Sequence, residues 1–150
     1  MKRILIVLVL FFGIIVNNCD SGSSEIEWGH NIDTALRKAQ QNGAPVMIDF
    51  MADWCPPCQE MEKTTFIDSE FLKKSEKFIL VRIDIDDNQD LAKKYNGNAN
   101  KYGGIGIPNM LFLNGNGQTI RHIVGYHNAQ QLTSVMDSVI TGKYENYPVK

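Results

Sequence analysis

The residues with the most evident chemistry in this sequence are Cys55 and Cys58, separated by Pro56 and Pro57. Two thiols at this spacing can close a disulfide without moving the backbone far. The pair follows the apolar run Val46 to Met51 and opens a stretch that reads as a helix. A cysteine at a helix N-terminus meets unpaired N–H groups and the positive end of the helix dipole. Both favour thiolate over thiol, so Cys55 is expected to titrate below the ordinary value of about 8.5. Pro56 suits the first helical turn, where a missing N–H costs nothing. Cys55, first and expected to be exposed, is the candidate nucleophile. Cys58, one turn in and expected to be shielded, is the resolving thiol that attacks Cys55 in a mixed disulfide. A structural disulfide across so short a loop would remove little chain entropy. Zinc usually takes four ligands, often from two such pairs. This chain has one pair, with only His30, His122 and His127 elsewhere. Redox chemistry is the reading these residues favour.

The elements that must position this pair follow from periodicity. Asn31 or Asp33 can cap a helix to about Asn42, with Ile32, Leu36 and Ala39 on one face and Gly43 as the stop. Val46 to Met51 reads as a strand buried on both faces, with Asp49 its one polar intruder. One helix is predicted from Pro56 to Ser75, and a second strand from Phe78 to Ile85. Gln89 to about Tyr95 reads as helix and Asn96 to Gly104 as loop. Met110 to Leu113 and Gln118 to Val124 read as strands joined by a hairpin at Asn114-Gly115-Asn116-Gly117. A last helix runs from about Ala129 to Thr141. Glu25 to His30 is a lead-in, with Ile26 and Trp28 candidates for pairing on a sheet edge. The order predicts an α/β sandwich on a mixed sheet, parallel first and antiparallel later.

Composition bounds the function. At 150 residues the chain suits one domain, and its formal charge of −2, without a basic stripe, argues against a nucleic-acid partner. Met1-Lys2-Arg3 followed by the uncharged run Ile4 to Val16 has the form of a secretory signal, shorter than the roughly 20 residues of a membrane span. Cys19, the third cysteine, lies just past it. Its placement resembles a bacterial lipoprotein signal, in which the cysteine is lipidated and begins the mature chain. Val16 fits that pattern, whereas Asn18 stands where a small residue is usual. An ordinary signal cut after Ser21 is the alternative. With Cys19 lipidated, Asp20 to Ser24 would form a flexible tether.

Val46 to Glu62, VMIDFMADWCPPCQEME, resembles the active-site segment of thioredoxins. It is most similar to the C-terminal thioredoxin-like domain of DsbD-type thiol–disulfide interchange proteins. Gly43-Ala44-Pro45, Lys63-Thr64-Thr65-Phe66 and Gly106-Ile107-Pro108 extend the match, which runs from about Trp28 to Ile140. The resemblance implies the thioredoxin fold, with a central mixed sheet flanked by helices. It implies a cis peptide before Pro108, with Ile107 helping to select a substrate strand at that edge. Asp49 matches the buried acid beneath the site. As a lone carboxylate in an apolar strand it should have a raised pKa and could exchange a proton with Cys58. Glu62 matches a second acid near the site, and Trp54 a shield and docking residue. Met51 departs from an aromatic position of many thioredoxins, Pro56-Pro57 from the usual Gly-Pro, and Asn96 to Lys101 looks like an insertion.

The expected organisation is a signal peptide over 1–18, a tether over 19–27 and the thioredoxin-like domain over 28–150. The expected function is an exported, monomeric dithiol reductase with no cofactor beyond the Cys55–Cys58 disulfide and no metal. It would draw electrons from a membrane-embedded thiol transporter and reduce oxidised exported proteins or apocytochrome c. Its only hold on the membrane would be a lipid on Cys19. A disulfide-donating oxidase or isomerase is one alternative. A non-catalytic copper-handling lipoprotein on the same fold is the other, although such carriers show C-x-x-x-C.

Overall fold

A computed structural model describes residues 26–143. The expected signal peptide, Cys19 and most of the tether lie outside them. In chain order the helices are α1 (Ile32–Asn42), α2 (Pro56–Thr64), α3 (Ser69–Ser75), α4 (Gln89–Lys94) and α5 (Ala129–Thr141). The strands are β1 (Val46–Met51), β2 (Ile79–Asp84), β3 (Asn109–Leu113) and β4 (Thr119–Val124). Strand order is β2-β1-β3-β4, with β1 parallel to β2 and antiparallel to β3, and β3 antiparallel to β4. This is the mixed sheet that the order of elements predicts.

Alternation along the strands sorts two cores. Val46, Ile48 and Phe50 of β1 face one side, with Val81 and Ile83 of β2, Leu111 and Leu113 of β3, and Ile32, Ala35 and Ala39 of α1. Met47 of β1 faces the other, with Met110 and Phe112 of β3, Met61, Phe71, Leu132 and Met136. Each large side chain so buried contributes about 1.5–3 kcal/mol. That drive fixes β1 inside the sheet, with Cys55 just past its C-terminal end.

The helix ends follow local chemistry. Asn31 is the cap of α1, its side chain accepting from the Thr34 amide at 2.8 Å, and Gly43 closes that helix at φ 75°. Asn128 and Gln131 form a reciprocal capping box at the start of α5.

Three elements differ from the sequence expectation. The helix predicted from Pro56 to Ser75 is two helices. Asp68 starts a new one by accepting from the amides of Glu70 and Phe71, and the hydroxyl of buried Thr65 donates to the His127 carbonyl at 2.8 Å. The break turns Phe66 in between Trp28 and Phe71, with ring centroids 5.3 and 5.2 Å away. In the lead-in, the residue that pairs with the sheet is Gly29, bridged to Val81, while Ile26 and Trp28 pack on the core. The predicted loop at Asn96 to Gly104 holds a 3-10 turn, Asn100–Tyr102. Its buried Gly97 lies so close to the Phe50 ring that a Cβ there would sit 2.4 Å from it.

Candidate active site

β1 delivers the chain to the site. Past Met51 the Cys55 amide donates to the Ala52 carbonyl at 3.0 Å, closing a turn that puts Cys55 at the head of α2. Cys55 is extended (φ −87°, ψ 103°) and is itself the helix cap. Pro56 and Pro57 fill the first two helical positions, where neither needs a donor. The first free amide, that of Cys58, therefore points back at the Cys55 sulfur, 3.3 Å away. A sulfur so placed is stabilised as thiolate by the amide and by the helix dipole. The two cysteines form a disulfide with Cα atoms 5.3 Å apart.

Cys55 is not the exposed member of the pair. It is 2% exposed and Cys58 3%. Both sulfurs lie in the apolar cluster on which Ile107 and Tyr102 pack, and the disulfide turns the Cys55 side chain inward toward its partner. Spacing alone orders the two along the helix but does not show what covers the first.

Asp49 is buried, as expected, but it is not a lone carboxylate. Its register partner on β2 is Arg82, whose Nε and Nη2 both donate to Oδ2, at 3.0 and 2.9 Å. Oδ1 is buried and has no hydrogen-bond partner among the described residues. Burial pushes the Asp49 carboxyl up to about 6; Arg82 opposes that rise and Glu62 adds to it. Glu62 is tied to the same guanidinium through Oε1 and Nη2. The contacts of Asp49 and Glu62 thus run to each other through Arg82. The guanidinium also lies over the Trp28 ring, 4.0 Å from its centroid.

Trp54 is 43% exposed beside the pair. Its indole N–H donates to Asp86, and the Tyr102 hydroxyl donates to the other oxygen of that carboxylate. These two donors, Tyr102 first, hold the Asp86 carboxyl below the usual carboxylate range. Lys101, from the segment that looked like an insertion, stacks on Trp54 at 3.7 Å from the ring centroid. The Ile107–Pro108 peptide is cis. Next to it, fully buried Asn109 donates from Nδ2 to the carbonyls of Asn96 (3.0 Å) and Gly106 (3.3 Å). Its Oδ1 accepts from His122 Nε2 at 2.5 Å, and burial holds the His122 ring below its ordinary pKa. His127 turns its Nδ1 to the Gly125 carbonyl at 2.9 Å. Cys19 lies outside the described residues.

Sequence reasoning missed Arg82, Asp86, Lys101 and Asn109. For Arg82 a signal existed: it is the charged residue inside the otherwise apolar run Phe78 to Ile83, as Asp49 is in Val46 to Met51. Among the described residues no group of three or more His, Cys, Asp or Glu side chains is placed to hold a metal, and no helix is long and apolar enough to cross a membrane.

Comparison with known proteins agrees with this geometry. The chain is 28% identical to the thiol:disulfide interchange protein DsbD of Colwellia psychrerythraea over 93% of its own length and 25% of the relative's. It is 35% identical to DsbD of Yersinia pestis over 62% of its length and 16% of the relative's. It therefore spans a quarter or less of these curated relatives. Among solved structures, the oxidised C-terminal domain of DsbD from Neisseria meningitidis matches with a TM-score of 0.57 and 26% identity, covering 75% of this chain and 98% of that domain. A poplar thioredoxin h, 23% identical, shares the fold with a TM-score of 0.58 over 73% of this chain and 87% of that one. A family model described as a thioredoxin-like domain matches residues 32–140, and with the cysteine pair at the head of α2 and a buried acid on β1, the chain belongs to the thioredoxin-like family.

Proposed function

We propose that this protein is a thiol–disulfide oxidoreductase that works as a dithiol reductase on exported proteins. The observation that carries the reading is the Cys55–Cys58 disulfide at the head of α2, with the Cys58 amide directed at the Cys55 sulfur. The DsbD relatives support interchange chemistry. The basic start and apolar run of 1–16, with Cys19 beyond it, support export and a lipid anchor on the periplasmic side. A membrane-embedded thiol transporter would supply electrons, and oxidised exported proteins or apocytochrome c would take them.

In the reduced protein the Cys55 thiolate attacks a substrate disulfide. A Cys55–substrate disulfide forms, and one substrate thiolate leaves and is protonated by solvent. Cys58 then passes its proton through water to the Asp49 carboxylate and, as thiolate, attacks the Cys55 sulfur. The second substrate thiolate leaves and takes up a proton. Two electrons have moved from the cysteine pair to the substrate, and the pair ends as the disulfide. Above about pH 6 Asp49 is ionised and ready to accept, so the resolving step gains rate as pH rises through that value. Trp54, Ile107 and Pro108 would form the surface that receives the substrate.

Equilibration of the Cys55–Cys58 pair against glutathione and then dithiothreitol tests the direction. A potential near about −230 mV or lower fits a reductase fed from elsewhere. A value near about −120 mV identifies a protein that donates its disulfide, and the reductase reading falls.

A further inference from the structure

β3 and β4 bring Asn109 and His122 onto one face of the sheet. Val124 is the register partner of Asn109 and Leu111 that of His122, so the two side chains are diagonal neighbours. Asn109 follows Pro108 directly and is fully buried. Its Nδ2 carries two hydrogens and meets two acceptors, the Asn96 carbonyl at 3.0 Å and the Gly106 carbonyl at 3.3 Å. Those carbonyls stand at the two ends of the segment 96–106. Asn96 turns the chain out of α4 in the left-handed region, at φ 55°, and Gly106 delivers it to Ile107. Between them Gly97 lies against the Phe50 ring, and the tip sends Tyr102 to Asp86 and Lys101 over Trp54. With both hydrogens of the amide spent on carbonyls, Asn109 Oδ1 is left facing His122 Nε2, 2.5 Å away. That contact needs a donor, so the His122 ring carries a hydrogen on Nε2.

We propose that Asn109, aimed by His122, is a specificity-determining positioning residue: it closes the segment 96–106 at its base and so holds the Ile107 backbone and the Trp54 surface in the one arrangement that fits an extended peptide disulfide. The inference rests on the dithiol reading above and deepens it, by naming peptide disulfides over small ones as the preferred class. An extended peptide takes its affinity from main-chain hydrogen bonds to a fixed edge, so an edge that shifts loses that affinity first. A small disulfide without a backbone has no such bonds to lose. An amide suits the base of the loop because it combines two donors with an acceptor. A serine hydroxyl has one donor and an ionised carboxylate has none, so either would strand at least one of the carbonyls.

The test uses the full chain as wild type, His122→Leu, His122→Gln and Asn109→Ala. Each reduced protein is mixed with two probes: hydroxyethyl disulfide, and the disulfide-linked dimer of a peptide of about ten residues with a central cysteine. The readout is the ratio of the two oxidation rates, peptide over small. His122→Leu should lower that ratio about fivefold, the size of one neutral hydrogen bond. Asn109→Ala removes three such bonds and should lower it further. His122→Gln keeps an N–H donor and should restore most of the ratio. Loss of packing alone would lower both rates together, and that outcome overturns the proposal. The ring nitrogens of His122, read by NMR in wild type at about pH 8, give a second measurement, because burial holds the ring below its ordinary pKa and so leaves it neutral there. Hydrogen on Nε2 is expected, and hydrogen on Nδ1 overturns the network. If Asn109→Ala does not fold, the His122 variants and the ring spectrum decide. A wild type that reduces neither disulfide defeats the dithiol reading and, with it, the role of Asn109. An active wild type whose ratio ignores both His122→Leu and Asn109→Ala defeats that role alone.

Discussion

Replacing Asp49 by Asn should change how the stability of the oxidised protein depends on pH. The carboxyl is pushed from its usual 3.8 to about 6 by burial, against the pull of Arg82. Below about pH 3 it is protonated in both folded and unfolded chains and contributes no penalty. Between 4 and 6 the folded chain still holds the proton while the unfolded chain has lost it, so the free energy of unfolding falls as pH rises. Above 6 the penalty is complete. One pKa unit corresponds to about 1.36 kcal/mol, which makes the full penalty about 3 kcal/mol. Asp49→Asn removes the ionisation, so its stability minus that of wild type should climb by about 2–3 kcal/mol between pH 4 and 7, whatever its offset at pH 4. Taking the difference cancels other titrating groups, including Asp86, whose lowered carboxyl acts in the opposite sense. Urea unfolding followed by tryptophan fluorescence at half-unit pH steps measures it. A difference that stays flat from pH 4 to 7 would refute the claim that burial of this carboxyl outweighs its ion pair.

Two further outcomes follow from the site. Cys58→Ser should trap a covalent adduct between Cys55 and a disulfide substrate, visible by intact mass, while turnover drops to the uncatalysed background; Cys55→Ser should give no adduct. Asn109→Ala should lower stability by about 1–3 kcal/mol, because it strands the buried partners of that side chain, and urea unfolding at neutral pH would read the loss.

Local signals in the sequence carried much of this structure. Asn31, Gly43 and the Asn114–Gly117 turn mark their elements by short-range hydrogen bonding. The double proline fixes where α2 begins. What stayed hidden depended on pairing between distant segments. Arg82 meets Asp49 only because β1 and β2 align in one register across 33 positions. Thr65 ends α2 because a carbonyl 62 positions away accepts its hydroxyl hydrogen. Lys101 covers Trp54 because the chain over 96–101 passes close to Phe50 at Gly97, where no side chain would fit. The burial of Cys55 stayed hidden for the same reason, since it joins a cluster assembled from α1, β1, β2 and β3.

The lead-in also bears on where the working unit of this protein begins. The family match starts at residue 32. Gly29, upstream of it, donates its amide to the Leu80 carbonyl at 3.0 Å and accepts the Arg82 amide at 2.8 Å, and Trp28 carries the ring beneath the guanidinium. A fragment trimmed to the matched segment would keep the sheet and both cysteines. It would lose the bracket that holds β2 from its outer edge and the aromatic floor under its arginine. Fragments meant for redox work therefore need to start ahead of Trp28, because the alignment boundary cuts inside the machinery.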